Sequence, residues 1–394
     1  MRACHVVYAE YPGDPRVRRE IDSLRIAGHE VDVVCLQGEG ESLEESIHGV
    51  HVSRVPLQAR RGSRGRYLFQ YALFFALSTV RLMALHRRKN FDAVHVHSLP
   101  DFQVFCTLAL KLSGVPVILD LHEALPEIVA ARFHLESGSA LVRLARFVEH
   151  ASVLFADRVL TVNETVRDLV AGRSRFHREI VVIMNSPDLR VLLSGDTDRL
   201  KRQLGLKEGP TIVYVGGINA ERGLATLLRA VSLLRGRNEI QVVIAGYGDP
   251  EYVESLKALA SRLPISNRVI FLPRIPQEQV LSYLALASLG VICYQENPLT
   301  EIAIPTKAFE YAAAGKPLAI ARLRALARLF EGAAEFFRPG DVQDLALAIE
   351  RLLTNPAHST RLVENARAVL SKCSWDIMES RLLSVYRQAG EVSH

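Results

Sequence analysis

The chain of 394 residues is longer than one ordinary domain core, so its length predicts two or three domains. A composition of 49% hydrophobic and 23% charged residues is typical of a folded globular protein and argues against long disordered stretches. The net charge of +5 is too small to indicate a nucleic-acid partner, and none is expected.

Apolar strands and amphipathic helices alternate through the first half of the chain. Helices are predicted at 15–27 and 101–113, and strands at 3–9, 29–36, 51–57, 92–98, 116–122, 157–163 and 179–185. Continuous apolar strands separated by helices are typical of a parallel sheet that helices cover on both faces.

The same alternation starts again after a polar stretch at 193–209, with strands predicted at 211–217, 241–248, 268–273, 289–294 and 317–321. We therefore expect two doubly wound α/β domains, over 1–190 and 191–372, and a last helix in 373–394 that packs back onto the first domain. Ligands of such sheets bind at the carboxyl ends of the strands, so a deep cleft between the domains is the predicted site.

One span of the first half has a strong charge bias. Ser46 to Phe91 contains no acidic residue, and its basic residues are Arg54, Arg60, Arg61, Arg64, Arg66, Arg81, Arg87, Arg88 and Lys89. Residues 54–89 therefore indicate a surface for phosphates or for an anionic membrane. The apolar segment Tyr67–Val80 is shorter than the ~20 residues of a membrane span, which leaves a core helix and an interfacial helix as alternatives.

The cysteine pattern and the N-terminus bear on localisation. The five cysteines show no CxxC spacing, and three of them lie in apolar strand-like runs, so we expect buried, reduced thiols. The N-terminus enters a strand directly, without the segments of a secretory leader. A cytoplasmic protein is predicted, peripheral at the inner face of the membrane if residues 54–89 bind lipid.

The segment Ile304–Pro317 (IPTKAFEYAAAGKP) is the strongest candidate for a functional motif. Pro305 fits the first turn of a helix, because its missing N–H is not needed there. The free N–H groups of Thr306 and Lys307 would then bind an anion such as a diphosphate, and Lys307 adds a positive charge. Glu310, one turn later, suits a ribose diol. A capped helix with a Lys–Glu pair is the structural alternative.

Two further groups of polar residues follow predicted strands. Gly216 and Gly217 come after the strand at 211–215, where glycines let the backbone approach a phosphate that Arg222 also reaches. Such glycine turns are common, so this signal is weaker.

In the first half, His122 ends a strand within the string Asp120-Leu121-His122-Glu123, where it could donate to a sugar hydroxyl or act as an acid or base. Asp14 lies in the first strand–helix loop, at the same edge of the predicted sheet. It is equally suited to cap the helix that starts at Pro15.

No metal or other cofactor is expected. Asp196-Thr197-Asp198 matches a metal-binding DxD string, but it precedes a helix in the linker, where capping explains it. His95 and His97 alternate on one strand, and no third ligand for zinc is evident. The chain also lacks GxSxG and P-loop motifs, which argues against hydrolase and ATPase functions.

The sequence resembles the GT-B glycosyltransferases of family 4 nearly from end to end. The stretches that carry the resemblance include DPRVRREIDSLRIAGHEVDVV, DLHEALPE, YVGGINAERGLATLLRAV, VIFLPRIPQEQVLSYLALASLGVICY and PTKAFEYAAAGKPLAIA. The PTKxFEY pattern is similar to a bacterial subgroup of that family. The resemblance implies two Rossmann-like domains, of which the C-terminal one binds the nucleotide-sugar donor and the N-terminal one binds the acceptor.

The resemblance also implies roles for individual residues, with catalysis carried by His122, Lys307 and Arg222. Its donor-side residues are Glu310 at the ribose, Lys307 and Thr306 at the phosphate and sugar, Arg222, Gly216 and Gly217 at the diphosphate, and the backbone of Arg274 and Ile275 at the nucleobase. On the acceptor side are Asp14 and Glu123, while His122 contacts the transferred sugar.

The implied activity is a retaining, metal-independent hexosyl transfer from a nucleotide-diphosphate-sugar to a glycan or lipid-linked acceptor, in surface polysaccharide or glycoconjugate biosynthesis. Two residues depart from the family pattern: Ile302, with Glu301 beside it, where a second glutamate is common, and Gly217 where arginine is common. A sugar-nucleotide epimerase of the same fold and a noncatalytic sugar-nucleotide-binding subunit remain alternatives. Sugar, base, acceptor and oligomeric state are not specified by the sequence.

Overall fold

The computed structural model describes residues 1–58, 64–173, 179–186, 197–234 and 240–391. The chain divides into two compact units. Unit 1 comprises Met1–Asn185 and Asp376–His394, and unit 2 comprises Ser186–Trp375. The sequence had placed these divisions at 190/191 and 372/373.

In unit 1, the part of the chain that the structure describes forms a sheet of eight strands in the order β3-β4-β2-β1-β5-β6-β7-β8. The strands are β1 (Arg2–Glu10), β2 (Glu30–Leu36), β3 (Glu44–Ile47), β4 (Val50–Val55), β5 (Ala93–His97), β6 (Val117–Leu121), β7 (Arg158–Thr161) and β8 (Ile180–Val182). All pairs are parallel except β3 with β4. The strand order reverses between β1 and β5, which makes that position the switch point of the sheet.

Helices connect these strands. They are α1 (Pro15–Ile26), α2 (Arg64–Lys89), α3 (Leu108–Leu112), α4 (Leu125–Phe133), α5 (Ala140–Phe155) and α6 (Glu164–Arg173). The single helix expected at 101–113 is instead a 3-10 helix, Asp101–Thr107, followed by α3. At the change, the Thr107 hydroxyl donates to the carbonyl of Val104, three residues earlier.

The described residues of unit 2 form six parallel strands in two groups, β11-β10-β9 and β12-β13-β14. A parallel bridge between Ile212 and Leu289 connects the two groups. The strands are β9 (Thr211–Val215), β10 (Gln241–Ala245), β11 (Val269–Leu272), β12 (Gly290–Ile292), β13 (Leu318–Ala321) and β14 (Glu335–Phe337). This 3-2-1-4-5-6 arrangement is the doubly wound order, with its switch point between β9 and β12.

The helices of unit 2 are α7 (Thr197–Gln203), α8 (Leu224–Leu233), α9 (Pro250–Arg262), α10 (Val280–Ala285), α11 (Thr306–Ala313), α12 (Arg324–Phe330), α13 (Val342–Thr354) and α14 (Pro356–Lys372). The last helix, α15 (Trp375–Glu391), lies almost wholly in unit 1. The parallel sheets and their helices confirm the α/β class predicted from the sequence.

Helix α2 is longer than the sequence indicated. The apolar segment was expected to end at Val80, because Arg81 follows, but the helix continues to Lys89. By length and composition alone, the segment Gly65–Lys89 is long enough and apolar enough to cross a membrane. One face of α2 packs against the rest of unit 1. The buried residues of that face are Gln70, Phe74, Ser78, Leu82 and Leu85.

Candidate functional site

The candidate site of unit 2 lies at the carboxyl ends of β9 and β12. Gly216 follows β9 with a φ of 141°, and a Cβ added there would collide with the amino group of Lys307. The positive φ favours glycine at position 216, and any side chain there would also have to displace the amino group of Lys307. The backbone after β9 and the side chain of Lys307 thus meet at the switch point.

Arg222 is held at the same point by the segment that follows β12. It ends a short 3-10 turn, Ala220–Arg222, and the thiol of Cys293 donates to its carbonyl at 3.2 Å. Its guanidinium carbon lies 4.3 Å from the centre of the Tyr294 ring. Among the described residues, its buried Nε finds no hydrogen-bond partner. A donor held in place without an acceptor suits an anionic ligand.

The N-terminus of α11 supplies Lys307. Pro305 precedes the helix as its cap, with φ −70° and ψ 140°, rather than forming part of the first turn as expected. The N–H groups of Thr306 and Lys307 come first in the helix and have no acceptor within it. Together with the helix dipole, they favour an anion.

The electrostatic state of Lys307 reflects its surroundings. Burial, and to a smaller extent the charge of Arg222, lower the pKa of Lys307 to about 8, although Glu310 acts in the opposite direction. The ammonium lies 5.1 Å from the centre of the Tyr214 ring, and the hydroxyl of Tyr214 donates to the Gly217 carbonyl at 2.7 Å. An incoming anion would relieve the repulsion between the two cations.

The remaining donor-side residues lie on neighbouring turns of unit 2. Arg274 and Ile275 follow β11, where Arg274 is exposed and stands 5.3 Å from the ring of Tyr247. Glu310 is half-buried, one turn along α11 from Thr306.

Glu301 has a structural task in this unit. Its carboxylate accepts a hydrogen bond of 3.1 Å from the N–H of Arg324, the first residue of α12. Its neighbour Ile302 is buried, with 2% of its surface exposed. Glu301 therefore serves as a side-chain cap at the start of α12.

The candidate site of unit 1 lies at the carboxyl ends of β1, β5 and β6. His122 follows β6, and its Nε2 lies 2.7 Å from Oδ2 of Asp120. Its backbone N–H donates to the hydroxyl of Ser98, which follows β5. His122 is 6% exposed, so contacts with the surrounding protein fix the orientation of its ring.

Asp14 does cap a helix, which was the alternative to an acceptor-side role. Its Oδ1 accepts from the N–H of Arg16, and its Oδ2 pairs with the Arg16 guanidinium at 2.8 Å. Burial alone would raise the pKa of Asp14, but Arg16 and His122 lower it to about 2. Glu123 is half-buried and interacts electrostatically with Arg16. Asp14, Arg16, His122 and Glu123 thus form one group of interacting polar side chains.

Sequence reasoning missed several residues around His122. Arg16 has no motif of its own, and Glu20 is simply a polar residue of α1. His5, a polar residue in an apolar strand, was the one detectable signal. Tyr386 of α15 could not be found, because its hydroxyl reaches His5 and His95 from the far end of the chain.

These side chains also form two groups in which ligand-type atoms lie within 4.8 Å of one another. The groups are His5, Glu20, His95 and His97, and His97, Asp120 and His122. The sequence showed no third zinc ligand beside His95 and His97, but the fold brings further residues of ligand type close to both of them. Their rings, however, stack at 4.4 Å with an angle of 20°, whereas ligand rings converge on an ion. Asp196, of the DxD string, lies outside the described residues.

Comparison with known proteins covers both units. Residues 13–186 match the family "Glycosyl transferase 4-like domain", and residues 196–369 match "Glycosyl transferases group 1". The uncharacterized glycosyltransferase MJ1607 of Methanocaldococcus jannaschii is 23% identical over 93% of this chain and 91% of its own. The D-inositol 3-phosphate glycosyltransferase of Nocardioides sp. is 27% identical over 89% of this chain and 78% of its own.

Solved structures share the fold over the whole chain. Sucrose-phosphate synthase of Thermosynechococcus elongatus has a TM-score of 0.80 at 18% identity, and 98% of each chain is covered. Anabaena Alr3699/HepE, solved in complex with UDP-glucose, has a TM-score of 0.74 at 17% identity. The match covers 98% of this chain and 100% of the Anabaena chain. The chain is thus a GT-B glycosyltransferase, built from a glycosyl transferase 4-like domain followed by a glycosyl transferases group 1 domain.

Proposed function

We propose that the protein transfers a hexose, with retention of anomeric configuration and without a bound metal, from a nucleotide-diphosphate-sugar to a glycan or lipid-linked acceptor. One observation carries this proposal: Lys307, Arg222 and the start of α11 converge on the glycine turn after β9. Anabaena Alr3699/HepE, solved with UDP-glucose, supports a nucleoside diphosphate as the leaving group.

The proposed chemistry follows from the charges in unit 2. When the bond between sugar and diphosphate breaks, negative charge develops on the departing phosphate. Lys307, Arg222 and the N–H groups at the start of α11 can stabilise that charge in the way a metal ion does in other enzymes. Glu310 would hold the ribose, and the backbone at Arg274 and Ile275 would meet the base.

Unit 1 would serve the acceptor and the transferred sugar. In this proposal His122 hydrogen-bonds a sugar hydroxyl, while Asp120 orients its ring. A cavity beside α2 offers room for an acceptor of mixed polarity; it is lined by Gln37, Pro56, Leu57, Gln58, Arg66, Phe69 and Gln70.

A lipid-linked acceptor is favoured by the outer face of α2. The exposed positions Phe69, Ala72, Ala76, Val80 and Ala84 form an apolar stripe along the helix. Basic residues flank it, Arg66 at one end and Arg87 and Arg88 at the other. We propose that this stripe rests on the inner face of an anionic membrane.

The positive charge of the basic span is smaller than its sequence implies, because acidic residues from outside the span pair with some of its cations. Arg54 is buried and pairs with Glu41 and Glu45. Arg81 pairs with Glu44, and Lys89 with Asp32. Arg60 and Arg61 lie outside the described residues. Among the described cations of the span, those at the ends of the stripe would therefore contribute most to lipid attraction.

A donor screen tests the central proposal. The purified protein is incubated with a panel of sugar nucleotides and membrane-lipid or glycan acceptors, and release of nucleoside diphosphate is measured together with the anomeric configuration of the product. We expect acceptor-dependent release with one donor. Conversion of a donor without any acceptor would instead indicate an epimerase, and tight donor binding without turnover would indicate a binding subunit.

Glu310→Ala tests the ribose assignment. Loss of two hydrogen bonds to a charged acceptor should weaken donor binding by about tenfold to a hundredfold, measured by calorimetry. Glu301→Ala is the matched control: it removes the α12 cap, so it should lower thermal stability and leave donor affinity unchanged. Equal losses of affinity in both variants would refute the separate roles assigned here.

A further inference from the structure

A chain of hydrogen bonds runs through the interior of unit 1 behind His122. The strand register creates it: His5 of β1 stands opposite His95 of β5, and His97 of β5 stands opposite Asp120 of β6. The three imidazoles are fully buried, and Asp120 is 3% exposed. Polar groups so far from water persist only when they are hydrogen-bonded to one another.

Asp120 determines which atoms donate at one end of the chain. Burial alone would raise the pKa of Asp120, but His122 and His97 hold it well below its usual range, so the side chain is an ionised acceptor. Its Oδ2 lies 2.7 Å from Nε2 of His122 and 3.1 Å from Nδ1 of His97. The same two nitrogens lie 3.0 Å from each other. We assign a hydrogen to each of them, since both face an ionised carboxylate, which has none to give.

The direction of the remaining bonds follows from that start. Burial lowers the pKa of His97 and lowers the pKa of His5 well below its usual range, so both rings are neutral with one N–H each. His97 uses its hydrogen on Asp120, so its Nε2 accepts from Nδ1 of His5 at 2.9 Å. Nε2 of His5 is then an acceptor, and the hydroxyl of Tyr386 donates to it at 3.0 Å.

Tyr386 is the last donor that this order requires. Its oxygen also accepts from Nδ1 of His95 at 2.9 Å. Nε2 of His95 then carries a lone pair; it lies 4.0 Å from Oε2 of Glu20 and 4.0 Å from Oδ2 of Asp120. Neither Nε2 of His95 nor Oε2 of Glu20 has a hydrogen-bond partner among the described residues. Burial and the charge of Asp120 raise the pKa of Glu20 well above its usual range, so Glu20 adds no second negative charge.

We propose that Tyr386 of α15 is a positioning residue for His122. Its hydroxyl fixes the tautomer of His5, His5 fixes that of His97, and His97 shares Oδ2 of Asp120 with His122. The ring of His122 is thereby held with the N–H of Nε2 directed at Asp120. This inference rests on the proposed function, in which His122 contacts the transferred sugar.

Removing the hydroxyl undoes this order step by step. In Tyr386→Phe, Nε2 of His5 loses its donor, and a buried acceptor without a partner is unfavourable. If His5 then moves its hydrogen to Nε2, its Nδ1 lone pair faces the lone pair of His97. The ring of His97 must then rotate or change tautomer, and Asp120 loses one of its two donors.

Imidazole ¹⁵N chemical shifts of the full-length protein test the proposal directly, because they distinguish protonated from unprotonated ring nitrogens. We expect unprotonated Nε2 in His5 and His97 and a protonated Nε2 in His122. Tyr386→Phe should replace these with mixed or altered tautomers, and should lower kcat with little change in the KM for the donor. Tyr8→Phe is the matched control, because its hydroxyl donates elsewhere in unit 1, to Gln70 at 3.0 Å.

His5→Asn in the Tyr386→Phe background is a second variant. The asparagine amide can supply the N–H that His97 needs without any tyrosine, so the tautomers of His97 and His122 should return to those of the unsubstituted protein. The proposal is overturned if Tyr386→Phe leaves the His122 shifts unchanged, if Tyr8→Phe changes them equally, or if His5→Asn restores nothing.

Two other outcomes separate this inference from the proposed function. Altered tautomers with unchanged kcat would overturn the positioning role and leave a structural one. If the protein turns over no donor at all, the ¹⁵N shifts still show which ring nitrogens carry hydrogen. Failure of the proposed function can therefore be distinguished from failure of the proposed order of hydrogen bonds. Stoichiometric zinc in the purified protein would also overturn the proposal, since a bound ion would take the nitrogen lone pairs.

Discussion

Lys307 is the residue whose protonation should control donor binding. Its amine is charged below its pKa of about 8 and neutral above it, and only the charged form attracts a diphosphate. Affinity for UDP-glucose should therefore be greatest below pH 8 and fall as the pH rises, by up to about tenfold per pH unit. Calorimetric titrations between pH 6.5 and 8.5 would measure this slope, because neither the diphosphate nor the uracil of UDP-glucose titrates there.

Two variants assign the slope to this lysine. Lys307→Arg should bind with little dependence on pH in the same range, because a guanidinium stays charged. Lys316→Gln should keep the full slope: Lys316 also has a lowered pKa, but its amine donates to the Ala285 carbonyl instead of facing the glycine turn. A slope that survives Lys307→Arg would contradict the assignment.

At this scale, the sequence could propose only residues that share one local motif, and their roles stay predictions. Thr306, Lys307 and Glu310 lie within one helical segment, so a local pattern was enough to select them. The role of Glu301 was undecidable, because its partner Arg324 begins a helix that the pattern did not predict. Tyr386 was out of reach for the same physical reason, since its contacts depend on tertiary structure alone.

Helix α2 is the element with the most specific consequence. If its outer stripe rests on lipid, Phe69→Ser with Val80→Ser should weaken binding to phosphatidylglycerol vesicles at least tenfold, because each buried apolar side chain contributes about 1.5–3 kcal/mol. These side chains are 66% and 64% exposed, so the fold should be unaffected. Co-sedimentation at low and high salt would measure the loss, and salt should weaken the arginine contribution.

The control for α2 uses exposed apolar residues of unit 2. Leu233 and Leu347 are each 52% exposed, on α8 and α13. Changing both to serine should leave vesicle binding intact. Equal losses in the two pairs, or no binding by the unsubstituted protein at low salt, would refute a specific membrane face.

Elements with strong periodicity were predicted well, and the others were missed for identifiable reasons. β1, β2, β9 and β10 are mainly apolar and were recognised. β3 (EESI) is polar and mostly exposed, so it carries no strand pattern; its place at the sheet edge, paired only with β4, explains why it tolerates that composition. The strand–helix alternation of unit 2 was sufficient to predict its doubly wound class, but the order of its strands depends on pairing that no local pattern reports.

At the scale of the whole molecule, unit 1 is discontinuous in sequence, because its last helix comes from the C-terminal end of the chain. A chain that stops at Trp375 lacks the buried side chains of α15, which are Met378, Leu382, Val385, Tyr386 and Ala389. At about 1.5–3 kcal/mol for each of the larger four, their loss costs roughly 6–12 kcal/mol, comparable with the ~5–15 kcal/mol stability of a domain. Unit 1 should therefore unfold while unit 2 stays folded.

Hydrogen exchange mapped to peptides can test this for each unit. In the chain ending at Trp375, protection should be lost across β1, β5 and β6 and kept across β9, β10 and β12, because no residue beyond Trp375 belongs to unit 2. A chain ending at Glu391 keeps all of α15 and should match the full-length protein. If the shorter chain kept its protection in β5, α15 would contribute far less than its buried surface implies. If β9 also lost protection, the two units would unfold as one.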